Sequence, residues 1–475
     1  MDAPWDQDSL KEECGVFAVF NHPEASNLTY LGLYALQHRG QECAGIVSVE
    51  DRILHTHRGR GLVADIFKRS DLDRLTGNMA IGHVRYSTSG GSASQRNLQP
   101  LVVDTSNGGV AFAHNGNLAN GVEMRRSLER RGSIFQSTMD TEVIVHLTAL
   151  SQRSTFSERL VEALHQVKGA YALTAMDENS MIGVRDPNGF RPLVIGKVGE
   201  NGYVLSSETC ALHLIEAEFV RDVEPGEMVV ISRDGIQSYF PFPKKERTLC
   251  VFEHIYFARP DSTIDGINVY EARKKIGAWL AREHPCEGDM VIPIPDSGVP
   301  AALGFAQHAN MPFELGIIRN HYVGRTFIEP QQSIRHFGVK IKLNATRRLI
   351  RGKRIVLVDD SIVRGTTSRK IVKMVREAGA TEVHVRISSP PTSFPCFYGI
   401  DTPTRKELLA SSHTIEEMRR YITADSLAFL SLDGLYEAVE GKEAGFCDAC
   451  FSGDYPVPFP VHGAEATQLT LLKES

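Results

Sequence analysis

At 475 residues, with 42% hydrophobic and 23% charged side chains, the chain is long enough for two or three domains with buried cores and has an ordinary globular composition. A net charge of -6 argues against a nucleic-acid surface, and no apolar run reaches bilayer-spanning length, so neither nucleic acid nor membrane is expected as a partner. Residues 1–13 (M-D-A-P-W-D-Q-D-S-L-K-E-E) are acidic without a signal peptide's apolar core, which predicts a cytoplasmic protein whose eight cysteines serve something other than a disulfide framework.

Cys14 follows that leader and opens C-G-V-F-A-V-F, an apolar run that predicts a strand. Removing residues 1–13 would leave an α-amine beside the thiol. With a pKa of roughly 8, that amine is an internal base for making the thiolate that attacks an amide carbon. A buried strand cysteine is the plainer alternative. Residues 29–40 (T-Y-L-G-L-Y-A-L-Q-H-R-G) predict a helix ending at Gly40, with Arg39 near the turn. Residues 81–91 (I-G-H-V-R-Y-S-T-S-G-G) predict a strand leading to Arg85, then a hydroxyl and glycine loop able to close. The Arg85 guanidinium suits bidentate capture of a free α-carboxylate. In A-F-A-H-N-G-N-L, Asn115 and Gly116 fall at a strand end and offer a side-chain amide and a backbone N–H to one developing oxyanion. Asp140, in S-T-M-D-T-E, suits an α-ammonium group. Each of these residues also reads singly as a turn or cap. Residues 170–176 and 180–184 predict neighbouring strands, while Cys43 and Cys210, without partners at metal-ligand spacing, predict core thiols.

P-F-P-K-K at 241–245 predicts a linker. Beyond it, residues 290–295 predict an apolar strand ending in a turn of Asp296, Ser297 and Gly298. Residues 320–346 are long and polar, which predicts a mobile lid whose Arg325, Lys340 and Lys342 cover a phosphate, a solvated basic loop being the alternative. Residues 354–368 (R-I-V-L-V-D-D-S-I-V-R-G-T-T-S) carry the strongest signal. A strand ends at Asp359 and Asp360, a turn of Ser361, Arg364, Gly365, Thr366 and Thr367 follows, and a helix is predicted over 369–378. Free N–H groups and the positive helix end suit a phosphate, with glycine allowing close approach. Carboxylates beside a phosphate need another task, either holding ribose hydroxyls or positioning magnesium. Cys447 and Cys450 form a C-x-x-C pair, Cys250 and Cys396 stand far apart, four such thiolates would suit zinc, which nothing in the spacing excludes, and Cys286 is left over.

The string at 354–368 closely resembles the phosphoribosyl pyrophosphate (PRPP) motif of type I phosphoribosyltransferases. That resemblance implies ribose binding by Asp359 and Asp360, phosphate binding by residues 361 and 364–367, and a pyrophosphate loop at Asp296, Ser297 and Gly298, with Ser297 touching magnesium. In the first half, C-G-V-F, L-x-x-L-Q-H-R-G-Q-E-x-A-G-I, G-H-V-R-Y-S-T-S-G, A-H-N-G-N-L and D-T-E-V together resemble the glutaminase domain of the N-terminal-nucleophile amidotransferases. This implies Cys14 as the nucleophile after processing, Arg85 and Asp140 as glutamine-binding residues, and Asn115 with Gly116 as the oxyanion hole. The implied folds are an α+β, four-layer αββα hydrolase domain followed by an α/β domain with a mostly parallel sheet.

In this order the two halves resemble the glutamine-dependent amidotransferases that act on PRPP, in the subgroup made with an acidic propeptide. What this implies is a propeptide at 1–13, a glutaminase domain at 14–245 and a transferase domain at 246–475. The implied reaction passes ammonia from glutamine to PRPP, giving 5-phosphoribosylamine, glutamate and pyrophosphate at the start of de novo purine synthesis. The resemblance also implies one magnesium per subunit, one [4Fe–4S] cluster on Cys250, Cys396, Cys447 and Cys450, inhibition by purine nucleotides, and a homotetramer or homodimer. An amidotransferase acting on a sugar phosphate and a PRPP-sensing regulator are the competing readings.

Overall fold

Runs of small and β-branched residues, buried on both faces, build two antiparallel sheets in the first half of the chain. The computed structural model describes residues 11–12, 14–85, 95–320, 343–441 and 445–458. One sheet has seven strands in the order Glu218–Asp222, Val194–Val198, Gly202–Ser206, Cys14–Phe20, Met79–Arg85, Cys43–Glu50 and Ile53–Arg60. The other has six, with Gly169–Met176 pairing Gly108–Leu118 on one side and Met181–Arg185 on the other. The sheets meet through Val16, Ala18, Ala111, Ala113, Ala172 and Leu205, where alanines allow close approach. Helices cover the outer faces: Ala25–Ala35 packs Leu33 on Phe17, and Thr141–Leu150 with Phe156–Leu164 pack Ile144 and Leu160 around Phe112. The result is the expected helix, sheet, sheet, helix layering.

The second half carries a four-stranded sheet, Met290–Pro293, Arg354–Asp359, Glu382–Ile387 and Ser426–Phe429, parallel throughout. Val269–Glu283 and Val299–Ala309 pack on one face, Thr366–Glu377 and Ile415–Ile422 on the other. Parallel strands deliver their carboxyl ends to one edge, and the loops that follow them meet there. Leu249–Cys250, just after the expected linker, pairs in parallel with Phe446–Cys447, and Lys11–Glu12 pairs antiparallel with Ile400–Asp401.

Two boundaries differ from expectation for local reasons. The helix expected over 29–40 is Ala25–Ala35, and residues 36–40 form a turn in which Gly40 N–H donates to Gln37 O at 3.2 Å. A Cβ on Gly40 would lie 2.4 Å from Arg85 N, so the chain leaves the helix early to press this glycine onto the neighbouring strand. The helix expected over 369–378 is Thr366–Glu377, because Gly365, at φ 75°, turns the loop directly into it.

Candidate functional site

Three strands bring the first group together. Cys14 begins its strand directly across from Arg85, which in turn lies across from Cys43. Directly opposed residues of antiparallel strands share a face, and here it is the face that turns Val16 and Ala18 toward the second sheet. Asn115 follows Ala113 by two residues and so projects from that facing sheet into the same layer. It is 1% exposed, and its Nδ2 has no hydrogen-bond partner among the described residues. An unanswered buried donor costs about 1–3 kcal/mol, which a ligand oxygen would relieve. Gly116 sits at φ 144° with its Cβ position 2.1 Å from Ala170 O, so no other residue fits there.

Asp140 caps the approach to Thr141–Leu150 and accepts from Leu118 N–H at 2.8 Å, which ties it to the strand of Asn115 and Gly116. His114 Nδ1 lies 3.7 Å from its Oδ1. Burial pushes the Asp140 carboxyl up, but the His114 charge and hydrogen bond outweigh it and hold the carboxyl below its ordinary value. His83 donates from Nε2 to His114 O at 3.1 Å, and burial drives its pKa down to about 3, so it is neutral. Arg85 donates to Asn97 O, and the Asn97 side chain bonds Thr138, two residues before Asp140. Asn97 thus links the residues expected to hold carboxylate and ammonium, though no motif marked it. The expected closing loop at 87–91 lies outside the described residues.

In the second half, the two expected strand-end turns lie side by side. Ile294 N–H donates to Val358 O at 2.9 Å, and Ser297 Oγ donates to Asp360 Oδ1 at 2.6 Å. Ser361 Oγ donates to Asp360 Oδ2, also at 2.6 Å, and Asp359 Oδ1 accepts from Asp360 N–H at 3.0 Å. Gly298 starts Val299–Ala309 where a Cβ would strike Val358 O at 2.6 Å, so glycine is what lets the turns approach. Gly365, Thr366 and Thr367 open the amino end of Thr366–Glu377, and Arg364 Nη2 reaches Glu407 Oε1 at 2.9 Å. Arg319, missed in the sequence, pairs with Asp296. Arg325, Lys340 and Lys342 lie outside the described residues.

Four cysteines from three separate parts of the sequence meet at a third place. Cys250 and Cys447 are partners on adjacent strands, Cys450 follows in the helix Ala449–Ser452, and Cys450 O accepts from Ser393 and Phe394 N–H in the segment leading to Cys396. Burial raises the Cys447 and Cys450 thiols well above the usual value, the Cys250 and Cys396 thiols push both further up, and Cys447 does the same to Cys450. The Cys250 thiol is pushed up to about 12 by burial, against the Arg191 guanidinium. Among the described residues, no three or more His, Cys, Asp or Glu side chains are gathered tightly enough to hold a single metal ion. Cys43 and Cys210 are buried at 2% exposure, as expected of core thiols, and Cys286 is half-buried. No described helix is long and apolar enough to cross a membrane.

Residues 83–214 match a family model for a glutamine amidotransferase domain, and residues 266–388 match one for a phosphoribosyl transferase domain. The chain is 53% identical to the amidophosphoribosyltransferase of Rhizobium etli over 467 residues, 96% of this chain and 94% of that protein. It is 52% identical to the amidophosphoribosyltransferase of Bacillus subtilis over 452 residues, 94% of each. Its fold is similar to that of the solved glutamine PRPP amidotransferase from Bacillus subtilis complexed with ADP and GMP, with a TM-score of 0.90 and 51% identity, covering 94% of this chain and 98% of that one. A solved allosteric regulatory enzyme of purine biosynthesis gives a TM-score of 0.91 at 51% identity, covering 94% and 97%.

Proposed function

The chain belongs to the amidophosphoribosyltransferase family, whose glutamine-dependent transfer of ammonia to PRPP it catalyses, and we propose that the reaction runs between a hydrolase unit at 14–245 and a transferase unit at 246–475, after loss of residues 1–13. In the first, the freed α-amine of Cys14 takes the thiol proton and the thiolate attacks the side-chain amide carbon of glutamine. Asn115 Nδ2 and Gly116 N–H receive the oxyanion, while Arg85 and Asp140 hold the α-carboxylate and α-ammonium. Ammonia leaves, water hydrolyses the thioester, and glutamate departs. The observation that carries this reading is the Asn115 Nδ2, without a hydrogen-bond partner among the described residues, facing the layer where Cys14 and Arg85 stand opposed.

In the second unit, Asp359 and Asp360 hold the ribose hydroxyls, Ser361 and residues 364–367 hold the 5-phosphate, and Asp296, Ser297 and Gly298 face the pyrophosphate. Ammonia attacks ribose C1 as pyrophosphate leaves, and the paired turns orient the ribose while it carries positive charge. The all-oxygen set of Ser297, Asp359 and Asp360 suits magnesium, which when bound neutralises charge on the leaving pyrophosphate. Arg325, Lys340 and Lys342 are assigned to covering that group.

The four thiols are assigned to a [4Fe–4S] cluster in a structural role on the strength of the sequence resemblance, with zinc as the alternative. Purine nucleotides, like the ADP and GMP of the Bacillus subtilis complex, carry phosphates that suit the loop at 364–367 as inhibitors, and a homo-oligomer, dimer or tetramer, is the proposed assembly. Glutamine-dependent pyrophosphate release from PRPP tests the reaction; none from processed, cluster-loaded protein would refute it. Iron and sulfide analysis of anaerobically purified protein separates cluster from zinc.

A further inference from the structure

We infer that Glu253, at the start of the transferase half, positions the glutamine-hydrolysing site by gripping two arginines of the other half at once. Arg39 donates from Nε to Cys14 O at 3.1 Å, so its guanidinium holds the backbone of the nucleophile. The same guanidinium meets Glu253 through Nη1 at 3.0 Å and Nη2 at 2.8 Å. Arg191 Nη1 shares Glu253 Oε1 at 3.0 Å, and its Nη2 donates to Gly399 O. Gly399 lies against the other wall of the site: at φ 107°, its Cβ position falls 2.9 Å from Gly116 Cα. Asn117 Nδ2 adds a bond to Phe397 O at 3.0 Å. One carboxylate therefore fixes both the residue that attacks and the segment backing the glycine that receives the oxyanion.

Glu208 completes the arrangement from the hydrolase side. It accepts from Arg39 Nη1 at 2.6 Å with one oxygen, and from Ser262 Oγ at 2.6 Å and Arg259 N–H at 2.9 Å with the other. All four charged side chains are 0–1% exposed. Buried ion networks are a poor source of stability, since desolvation offsets most of the attraction, but they fix orientation and are costly to break on one side. Glu253 also begins a five-residue π-helix, a local irregularity common where a side chain must be aimed.

This inference rests on the proposed hydrolase roles of Cys14 and Gly116. Its test compares Glu253→Gln, Glu253→Asp and Gly399→Ala with the parent enzyme, supplying either glutamine or an ammonium salt, which bypasses the first site. Displacing a nucleophile by about 1 Å costs on the order of 100-fold in rate. Glu253→Gln is expected to lose that much glutamine-dependent kcat, with the glutamine KM and ammonia-dependent synthesis nearly unchanged, and Glu253→Asp to recover part of it. Gly399→Ala, which pushes on Gly116 without touching a charge, is expected to show the same split. Parallel loss of both activities in the Glu253 variants together with unchanged glutamine-dependent kcat in Gly399→Ala overturns the inference, as does wild-type kcat in Glu253→Gln. A parent enzyme inactive with both nitrogen sources would instead overturn the proposed function.

Discussion

Asn115 shows how much a single buried donor can decide. Its amide is enclosed, lies in the layer that Cys14 and Arg85 share, and has no acceptor among the described residues. Removing one oxyanion donor typically lowers kcat by about 100- to 1,000-fold. Asn115→Ala is expected to show that loss in glutamine hydrolysis while leaving ammonia-dependent synthesis intact, as measured by parallel assays. Asp360 gives the complementary case. Its two oxygens each accept a hydroxyl hydrogen bond at 2.6 Å, from Ser297 and Ser361, and an amide would turn a donor toward one of them. Asp360→Asn should therefore abolish amine transfer with basal glutamine hydrolysis still measurable; loss of both would refute independent sites.

At the scale of elements, the second site depends on two strand ends approaching more closely than side chains allow. Gly298→Ala would put a methyl 2.6 Å from Val358 O and 2.8 Å from Ile294 O. The turn carrying Ser297 must then move from Asp360, so the KM for PRPP is expected to rise with glutamine hydrolysis spared; an unchanged KM in a titration of initial rates would contradict this. The sequence made these turns readable because the strand, acidic pair and glycine turn are contiguous, and it made the strand of Cys14 readable because burial on both faces leaves an unbroken apolar run. It did not reveal Asn97, Arg319 or Glu253, whose partners are remote in sequence: Arg39 precedes Glu253 by 214 positions. A lone charge in an apolar stretch, as in V-F-E-H-I-Y-F, was the available signal. The helix end at Ala35 was hidden for a related reason, since Gly40 answers to a strand and not to its own helix.

Across the whole molecule, acid stability is set by opposed groups in different layers. Burial holds His83 near pKa 3 and His254 near 4, so between about pH 4.5 and 6 both stay neutral when folded and take up protons on unfolding. Stability from them falls as pH falls. Asp186 and Asp222 do the reverse, because burial raises each to about 6; they are protonated when folded and ionised when unfolded, so their contribution falls as pH rises through the same window. The contributions of these four groups therefore oppose one another across this window. Below about pH 4.5, depressed carboxylates such as Asp140 and Glu142 are protonated on unfolding, and stability should drop steeply. His254 is the place to unbalance them. Neither ring nitrogen has a hydrogen-bond partner among the described residues, and the ring stands edge-on to Phe446, 5.7 Å between centroids. Its charge state also answers to Glu253 and Asp265, which favour protonation, and to Arg273 and Arg247, which oppose it. His254→Phe keeps the packing and removes one opposing proton. In urea unfolding the stability of the parent relative to this variant is expected to rise by about 1.4 kcal/mol per pH unit from pH 4.5 to 6. A difference between the two that does not change with pH would mean that His254 is protonated in the folded protein.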